Sequence, residues 1–369
     1  MTIKDFKYAP FTIKLKTPFQ TSSQVINERK GVIIKLTDEL GNISFGECSP
    51  FPGLSSENIE EVIIILNGLS SGVIGLIFQE NAEAILKLLS ELKLSSSLHF
   101  ALEQAILSLA IKRNKKFIKE YFGTTKTEID VNAVLGFDPA ENVLSEIELK
   151  LNLGYSTFKL KVGRENFEDD LQLIKKIREK FGDKIKLRLD ANGKWKQNDV
   201  RGLMDYRRGI IDNVSERLNQ ISQFDIEYVE EPCNNLNSLI EISKSSPVPI
   251  SVDESIHSID DALRIINNSK IDFLILKPMI WGGIISSLDL IKKAEERNKK
   301  IIISSSFESV IGKGALVFLA SLTNHTFAHG LDTSEFFEKD ICTDPFKVEK
   351  GKITFEANNY PPQLEHQFL

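Results

Sequence analysis

From Ile129 onward, short β-branched runs alternate with longer stretches of helical periodicity. The runs are Ile129–Leu135, Thr157–Val162, Lys186–Asp190, Ile226–Glu230, Pro249–Asp253, Phe273–Lys277, Lys300–Ser304 and Thr326–Leu331. Most are separated by the length that one helix and two loops require, which is the spacing of parallel βαβ units. Eight such runs predict a closed barrel. A helical stretch around Leu98–Ile111 precedes them, and the polar stretch Asn198–Asn219 in the longest gap reads either as a lengthened helix or as a surface insertion.

The first 94 residues follow a different pattern. Strand-like stretches around Phe11–Leu15 and Gly31–Thr37, a GECSPFPG loop and two helical stretches between Ser56 and Leu94 predict an α+β unit. The loops Thr17–Gln24 and Cys48–Ser55 carry Phe19 and Phe51, read either as a cover over a ligand or as ordinary hairpin aromatics. Beyond Phe336 the βα rhythm stops, and the KITF run is expected to return as a strand to the N-terminal unit. The predicted organisation is therefore an N-terminal α+β domain over 1–95, a barrel over 96–335, and a segment 336–369 returning to the first domain.

A chain of 369 residues has room for such a pair of units. Its net charge of −6 supplies no basic field for nucleic acid, which leaves small-molecule chemistry as the expectation. Cys48, Cys233 and Cys342 are an odd, scattered set, expected to be buried thiols of a reducing cytosol. The start MTIKDFKYAPFTIKL lacks the apolar segment of a signal peptide, and the run Val62–Leu66 is too short to cross a bilayer, so a cytoplasmic location is expected.

Chemistry concentrates at the ends of the predicted strands. Lys159 and Lys161 end FKLKVG, Asp190 ends LRLD, Glu230 lies in YVEEP, Asp253 in SVDES, and Lys277 ends LILK. Isolated charges rarely end apolar strands, because burying one costs several kcal/mol unless something pairs it. In a parallel barrel all these ends lie at one rim, where active sites are built from several strands. Side chains two apart on a strand share a face, so Lys159 and Lys161 both enter the barrel mouth while Leu160 points away. Asp190, Glu230 and Asp253 sit on three adjacent strands about 4.8 Å apart, and their carboxylates are expected to meet around one cation. An all-carboxylate set favours a hard ion such as Mg²⁺ over Zn²⁺. Lys277 then stands across the cavity from Lys161. Crowding with Lys159 and partial desolvation are expected to lower the pKa of Lys161 and make it a general base. Proton abstraction beside a carboxylate, with the cation meeting the developing charge, is the chemistry this layout suits.

Weaker candidates surround the set. Gly282, Ser304 and Ser305 are expected to help hold a substrate carboxylate, with Gly283 and Ser306 beside them. His325 and His329 read as structural imidazoles, Glu231 and Glu308 as groups orienting their neighbours, and Trp281 as packing.

The order K-x-K, D, E, D, K resembles the enolase superfamily, in the muconate-lactonising subgroup with a lysine on each of two opposed strands. The superfamily is itself a standard example of a lysine base working with Mg²⁺ on an enediolate. The resemblance implies an α/β architecture: a modified TIM-type (β/α)7β barrel with an N-terminal α+β capping domain. It also implies Mg²⁺ bound by Asp190, Glu230 and Asp253, with Lys161 as base and Lys277 opposite. Dipeptide epimerases of this group typically carry Asp-x-Asp at the eighth strand end for the substrate ammonium. Here the segment is His329-Gly330-Leu331-Asp332, with Gly330 at the first position. The strings SSSFESVIGKGAL and HGLDTSEFF are similar to those of o-succinylbenzoate synthases of menaquinone biosynthesis. That likeness implies syn-dehydration of 2-succinyl-6-hydroxy-2,4-cyclohexadiene-1-carboxylate. The alternatives are a dipeptide epimerase or N-acylamino acid racemase on the same scaffold, and a metal-independent aldolase using Lys161 or Lys277 as a Schiff base.

Overall fold

Three antiparallel strands open the chain in the computed structural model, which describes residues 1–20, 25–77, 79–114, 116–195, 203–356, 360–362 and 364. They are β1 (Ile3–Gln20), β2 (Val25–Asp38) and β3 (Ile43–Cys48), in the order β1-β2-β3. Alternation along β1 buries Phe11, Ile13 and Leu15 and exposes Thr12 and Lys14, the period-two pattern of a sheet with one covered face. Helices α1 (Ile59–Val73), α2 (Ala82–Glu91) and α3 (Ser96–Arg113) follow. Part of the Thr17–Gln24 loop, at 21–24, and part of the polar stretch, at 196–202, lie outside the described residues.

Apart from the half-buried His99, helix α3 is buried from Leu98 to Ile111, as a helix packed on several sides must be. It lies against β3 and β2 on one side. A side chain at Gly46 of β3 would come within 1.8 Å of the Ala101 carbonyl oxygen, so only glycine allows this approach.

The chain then alternates as its periodicity predicts. The strands are β4 (Glu128–Asp130), β5 (Ala133–Leu135), β6 (Thr157–Lys161), β7 (Lys186–Asp190), β8 (Ile226–Glu230), β9 (Ile250–Val252), β10 (Phe273–Leu276) and β11 (Lys300–Ile303). Between and after them lie α4 (Ala140–Asn152), α5 (Phe167–Phe181), α6 (Leu203–Ile221), α7 (Leu236–Ser243), α8 (Ile259–Asn268), the short α9 (Pro278–Trp281), α10 (Ile284–Glu296) and α11 (Val310–Ser321). Strands β5 to β11 form one parallel sheet in sequence order. The eighth predicted run is not a continuous strand. Instead Gly330 forms a parallel bridge to Ser304 and His329 one to Val131, with Gly330 N donating to Ile303 O at 2.9 Å and Asn132 N to His329 O at 3.0 Å.

The KITF run forms β13 (Lys352–Thr354) beside β12 (Val348–Glu349), but its other partner is β4 rather than the N-terminal sheet. Charge and burial both favour that edge: Lys352 donates to Glu128 at 2.7 Å, and Ile353 is fully buried. The tail meets the N-terminal sheet elsewhere, where Phe337 bridges Leu15 and Glu338 N donates to Lys14 O.

Two carboxylates from the first 103 residues reach the starts of later helices. Glu103 of α3 accepts from the backbone N–H groups of Ile284 and Ile285, where α10 begins. Glu47 of β3 accepts from Ser309 N at 2.9 Å and Gly312 N at 2.8 Å, where α11 begins. Helix N-termini present unpaired N–H groups and a positive dipole end, so each acid stabilises its helix. Gly312 leaves room for this, since a Cβ there would lie 2.9 Å from the Glu47 carboxylate. Cys48 and Cys233 are buried as expected, whereas Cys342 is only half-buried. Among the described residues no helix is long and apolar enough to cross a membrane.

Candidate active site

Strand register sets the site. Lys161 is paired with Asp190, and Asp190 with Glu230, so these three share one inward layer. Lys159, Arg188 and Tyr228 are likewise in register one layer below. Asp253 and Lys277 immediately follow β9 and β10. Lys159, Lys161, Asp190, Asp253 and Lys277 all line one cleft, whose lining also includes Phe19, Phe51, Phe307 and Phe336.

The acids and lysines pair directly. Lys161 Nζ lies 2.7 Å from Asp190 Oδ2, and Lys159 Nζ lies 3.2 Å from Asp190 Oδ2 and 3.0 Å from Glu230 Oε1. Lys277 pairs with Asp253. Burial opposes charge on Lys159, but Glu230 and Asp190 outweigh it and hold its ammonium well above the ordinary lysine range. Lys277 is raised in the same way, burial being overcome by Asp253 and Glu254. For these two lysines the neighbouring carboxylates outweigh desolvation. Burial works against charge on Asp190 too, yet Lys161 and Lys159 hold it below the usual carboxylate value. Glu230, fully buried with one ammonium to share, is pushed up to about 8.

The carboxylates therefore do not meet at one point. Among the described residues no three His, Cys, Asp or Glu side chains stand together as a ready ligand set. The donor chemistry nevertheless fits a hard cation. Asp190 and Glu230 are in register on neighbouring strands, Asp253 follows the next one, and Glu230 Oε2 is buried with no hydrogen-bond partner. An orphaned carboxylate oxygen at such a site is costly unless something positive meets it.

The surrounding residues sort clearly. Ser304 lines the cleft. Ser305 also lines it, but its hydroxyl donates to Glu308 at 2.6 Å, accepts from Phe307 N at 3.0 Å and meets Thr333 at 2.7 Å, so it is engaged in holding the loop. Gly282 is elsewhere: it ends α9 in the left-handed region at φ 81° and faces Ser96 of α3, not the cleft. His329 Nδ1 accepts from Ile303 N, His325 Nε2 bonds Ile301 O, and the two rings stack at 5.3 Å as structural groups. Glu231, pushed up to about 8 by burial and then by Glu254, accepts from Asp253 N and Ser255. It thus orients the Asp253 loop. Trp281 packs against the core.

Several functional neighbours are visible only in three dimensions. Asn192 Oδ1 accepts from Lys161 Nζ at 2.7 Å, and its Nδ2 donates to Glu254 at 2.9 Å. Their place in DAN and DES, beside two of the acids, was the available signal. Arg29 of β2 is buried and donates to Ser49 O at 2.7 Å, Pro50 O at 3.0 Å and Phe307 O at 3.4 Å, with its guanidinium 4.9 Å from the Phe51 ring. It clamps the two aromatic loops of the cleft together.

Comparison with known proteins agrees with this geometry. Residues 142–359 match the family model described as enolase C-terminal domain-like. The chain is 28% identical over 332 residues to D-Ala-D/L-Ala epimerase of Cytophaga hutchinsonii, covering 89% of this chain and 86% of that one. It is 26% identical over 349 residues to o-succinylbenzoate synthase of Bacillus subtilis, covering 93% and 89%. Among solved structures, the dipeptide epimerase of Enterococcus faecalis V583, in complex with Mg and the dipeptide L-Leu-L-Tyr, superposes with a TM-score of 0.83 at 24% identity, covering 96% and 98%. With more than half its length matched by the family model and this fold beneath the lysine and acid constellation, the chain is an enzyme belonging to the enolase superfamily.

Proposed function

We propose that the protein is an o-succinylbenzoate synthase, a Mg²⁺-dependent hydro-lyase acting on 2-succinyl-6-hydroxy-2,4-cyclohexadiene-1-carboxylate in menaquinone biosynthesis. On this reading the parallel sheet is a (β/α)7β barrel closed by the bridges at His329 and Gly330, beneath a capping unit of about the first 95 residues. One observation carries the choice of substrate. Tyr155 hydroxyl donates to Asp332, Lys150 lies 3.9 Å from the same carboxylate and pairs with Glu335, and Gly330 offers no second acid. Among the described residues of that wall, Asp332 and Glu335 are already engaged by Tyr155 and Lys150, and a diacid suits it better than a dipeptide.

Asp190, Glu230 and Asp253 would hold Mg²⁺, in keeping with the Mg-bound epimerase of the same fold. Bound there, it supplies positive charge that offsets the negative charge developing on the substrate carboxylate and disfavours an ammonium beside it. As a neutral amine, Lys161 Nζ takes the ring proton next to the carboxylate, and the C–H electron pair moves toward the carboxylate carbon. The pair then returns to form the ring double bond as the C6–O bond breaks, and the proton on Lys161 leaves with the hydroxyl as water. Aromatisation drives this second step. Lys277, held as an ammonium by Asp253, contributes charge at the other face, and Asn192 accepts a hydrogen bond from Lys161 once it is protonated. Lys159 and Ser304 complete the polar wall of the substrate cleft.

The test is the ultraviolet progress curve of aromatisation with Mg²⁺ and with excess EDTA. Rapid turnover that EDTA abolishes supports the reading; a protein that binds Mg²⁺ yet leaves the cyclohexadiene untouched refutes it. The two epimerase relatives and the lysines on either side of the acids favour a second reading, epimerisation of a dipeptide or N-acylamino acid. Solvent deuterium entering recovered dipeptide distinguishes it.

A further inference from the structure

Asn132 is 2% exposed, lies between β4 and β5, and lines the cleft beside Lys159, Val134 and Gly330. Its Oδ1 accepts from Arg188 Nη1 at 3.2 Å. Arg188 is fully buried and held by three further contacts, although its Nη2 has no hydrogen-bond partner: Nε donates to Glu227 at 2.5 Å, Nη1 to Ala328 O at 2.7 Å, and the guanidinium lies 4.8 Å from the Tyr228 ring. A guanidinium has donors and no acceptor. The Asn132 amide consequently has only one acceptable orientation, with its oxygen toward Arg188. Its Nδ2 is then left buried with no hydrogen-bond partner. The backbone cannot swing away either, because Asn132 N donates to His329 O where the sheet closes.

We infer that Asn132 is a substrate-binding and specificity-determining residue, whose Nδ2, aimed by Arg188, donates a hydrogen bond to an acceptor oxygen of the carboxylate-bearing ligand. An unpaired buried donor is unfavourable until an acceptor arrives, and an acceptor that is itself charged gains most from it. The same donor disfavours a ligand that places an ammonium or N–H at this point, because two donors would then face each other. Arg188 touches no ligand and acts as a positioning residue.

The inference deepens the proposed dehydration but is decided separately from it. With the Mg²⁺-loaded full chain, KM and kcat for the cyclohexadiene substrate and the dissociation constant of o-succinylbenzoate are measured for the parent, Asn132→Ala and Asn132→Asp. Loss of the donor is expected to raise KM and the dissociation constant about tenfold or more, with kcat within about threefold and Asn132→Asp, which turns an acceptor toward the ligand, affected most. Unchanged KM and affinity in a folded Asn132→Ala overturn the inference. So does equal loss in Asn132→Ala and Asn132→Asp confined to kcat. Asn132→Ser serves if the alanine variant does not fold, and failure of both to fold makes the residue structural and likewise overturns it. A parent that neither turns over nor binds the diacid refutes the proposed function instead, and the same comparison is then decided on L-Ala-L-Glu.

Discussion

Replacing His325 with glutamine is expected to make the protein less sensitive to acid, by an amount the structure fixes. Burial lowers the His325 imidazole from 6.5 to about 4, with Lys126 and Arg188 adding to the shift and the bond to Ile301 O opposing it. The unfolded chain therefore takes up this proton first as pH falls. The stabilisation is complete above about pH 6.5 and is lost progressively toward about pH 4. Between about pH 7.5 and pH 5 the linked change for this one group comes to about 2 kcal/mol. His329, buried beneath it and depressed further, loses stability in the same direction. The carboxyls of Glu103 and Glu231, raised by burial to about 7 and about 8, act with the opposite sign, gaining stability as pH falls through those values. The parent's stability curve is thus a sum of opposed slopes, and only its difference from the variant isolates His325. Glutamine can still donate to Ile301 O, so the variant should start slightly less stable at neutral pH. Urea midpoints read by tryptophan fluorescence across this range should show the gap moving toward the variant by about 2 kcal/mol at the acid end. A gap that stays constant with pH would refute the assignment of His325 as a buried neutral imidazole.

Further outcomes are expected at the site and its supports. Lys161→Ala should lower kcat about a hundredfold or more while Mg²⁺ binding, followed by calorimetry, is retained or tightened, because an ammonium competing for Asp190 has gone. Asp253→Asn should weaken Mg²⁺ binding in the same titration, leaving Lys277 without its carboxylate partner. Arg29→Met should destabilise the fold by about 3–5 kcal/mol in urea, since it strips the donor from three carbonyls and leaves the neighbouring Glu308 and Glu47 without their cation. Gly46→Ala forces a methyl into the Ala101 carbonyl and should abolish soluble folded protein or lower the urea midpoint severely, whereas no change would mean that β3 and α3 can separate.

The sequence was most informative where one residue type had little freedom. Lysines and acids ending apolar runs admit few explanations, and the structure joins Lys159, Lys161, Asp190 and Glu230 in one network of ion pairs, with the separate Asp253–Lys277 pair lining the same cleft. It was least informative where a contact joins positions far apart in the chain. Arg29 and Phe307 are 278 residues apart, and no periodicity links them. Gly282 follows a strand end, the place of a ligand contact, but it terminates α9, a role that left-handed glycines fill just as often. The KITF run had a strand's composition without any sign of its partner, because edge pairing depends on which neighbour remains open. Asn132 is not legible in the sequence, because asparagine in a strand region carries no signal of its own. Its meaning comes from Arg188, 56 positions away.

The carboxylates of Glu47 and Glu103 bear on how this enzyme can change over time. Glu47 lies in β3 and Glu103 in α3, just beyond the first 95 residues, and they end on amides that start α11 and α10. Expressed without those residues, the βα repeat would expose two helix starts with nothing to receive their hydrogen bonds. Recombination that exchanged the chain through the end of α3 as a cassette would have to carry both acids with it, at the same heights, or lose the catalytic scaffold along with the loops it meant to replace. Phe19 and Phe51 receive no helix start, and a substitution there disturbs their packing on Phe307 and, for Phe51, the Arg29 clamp.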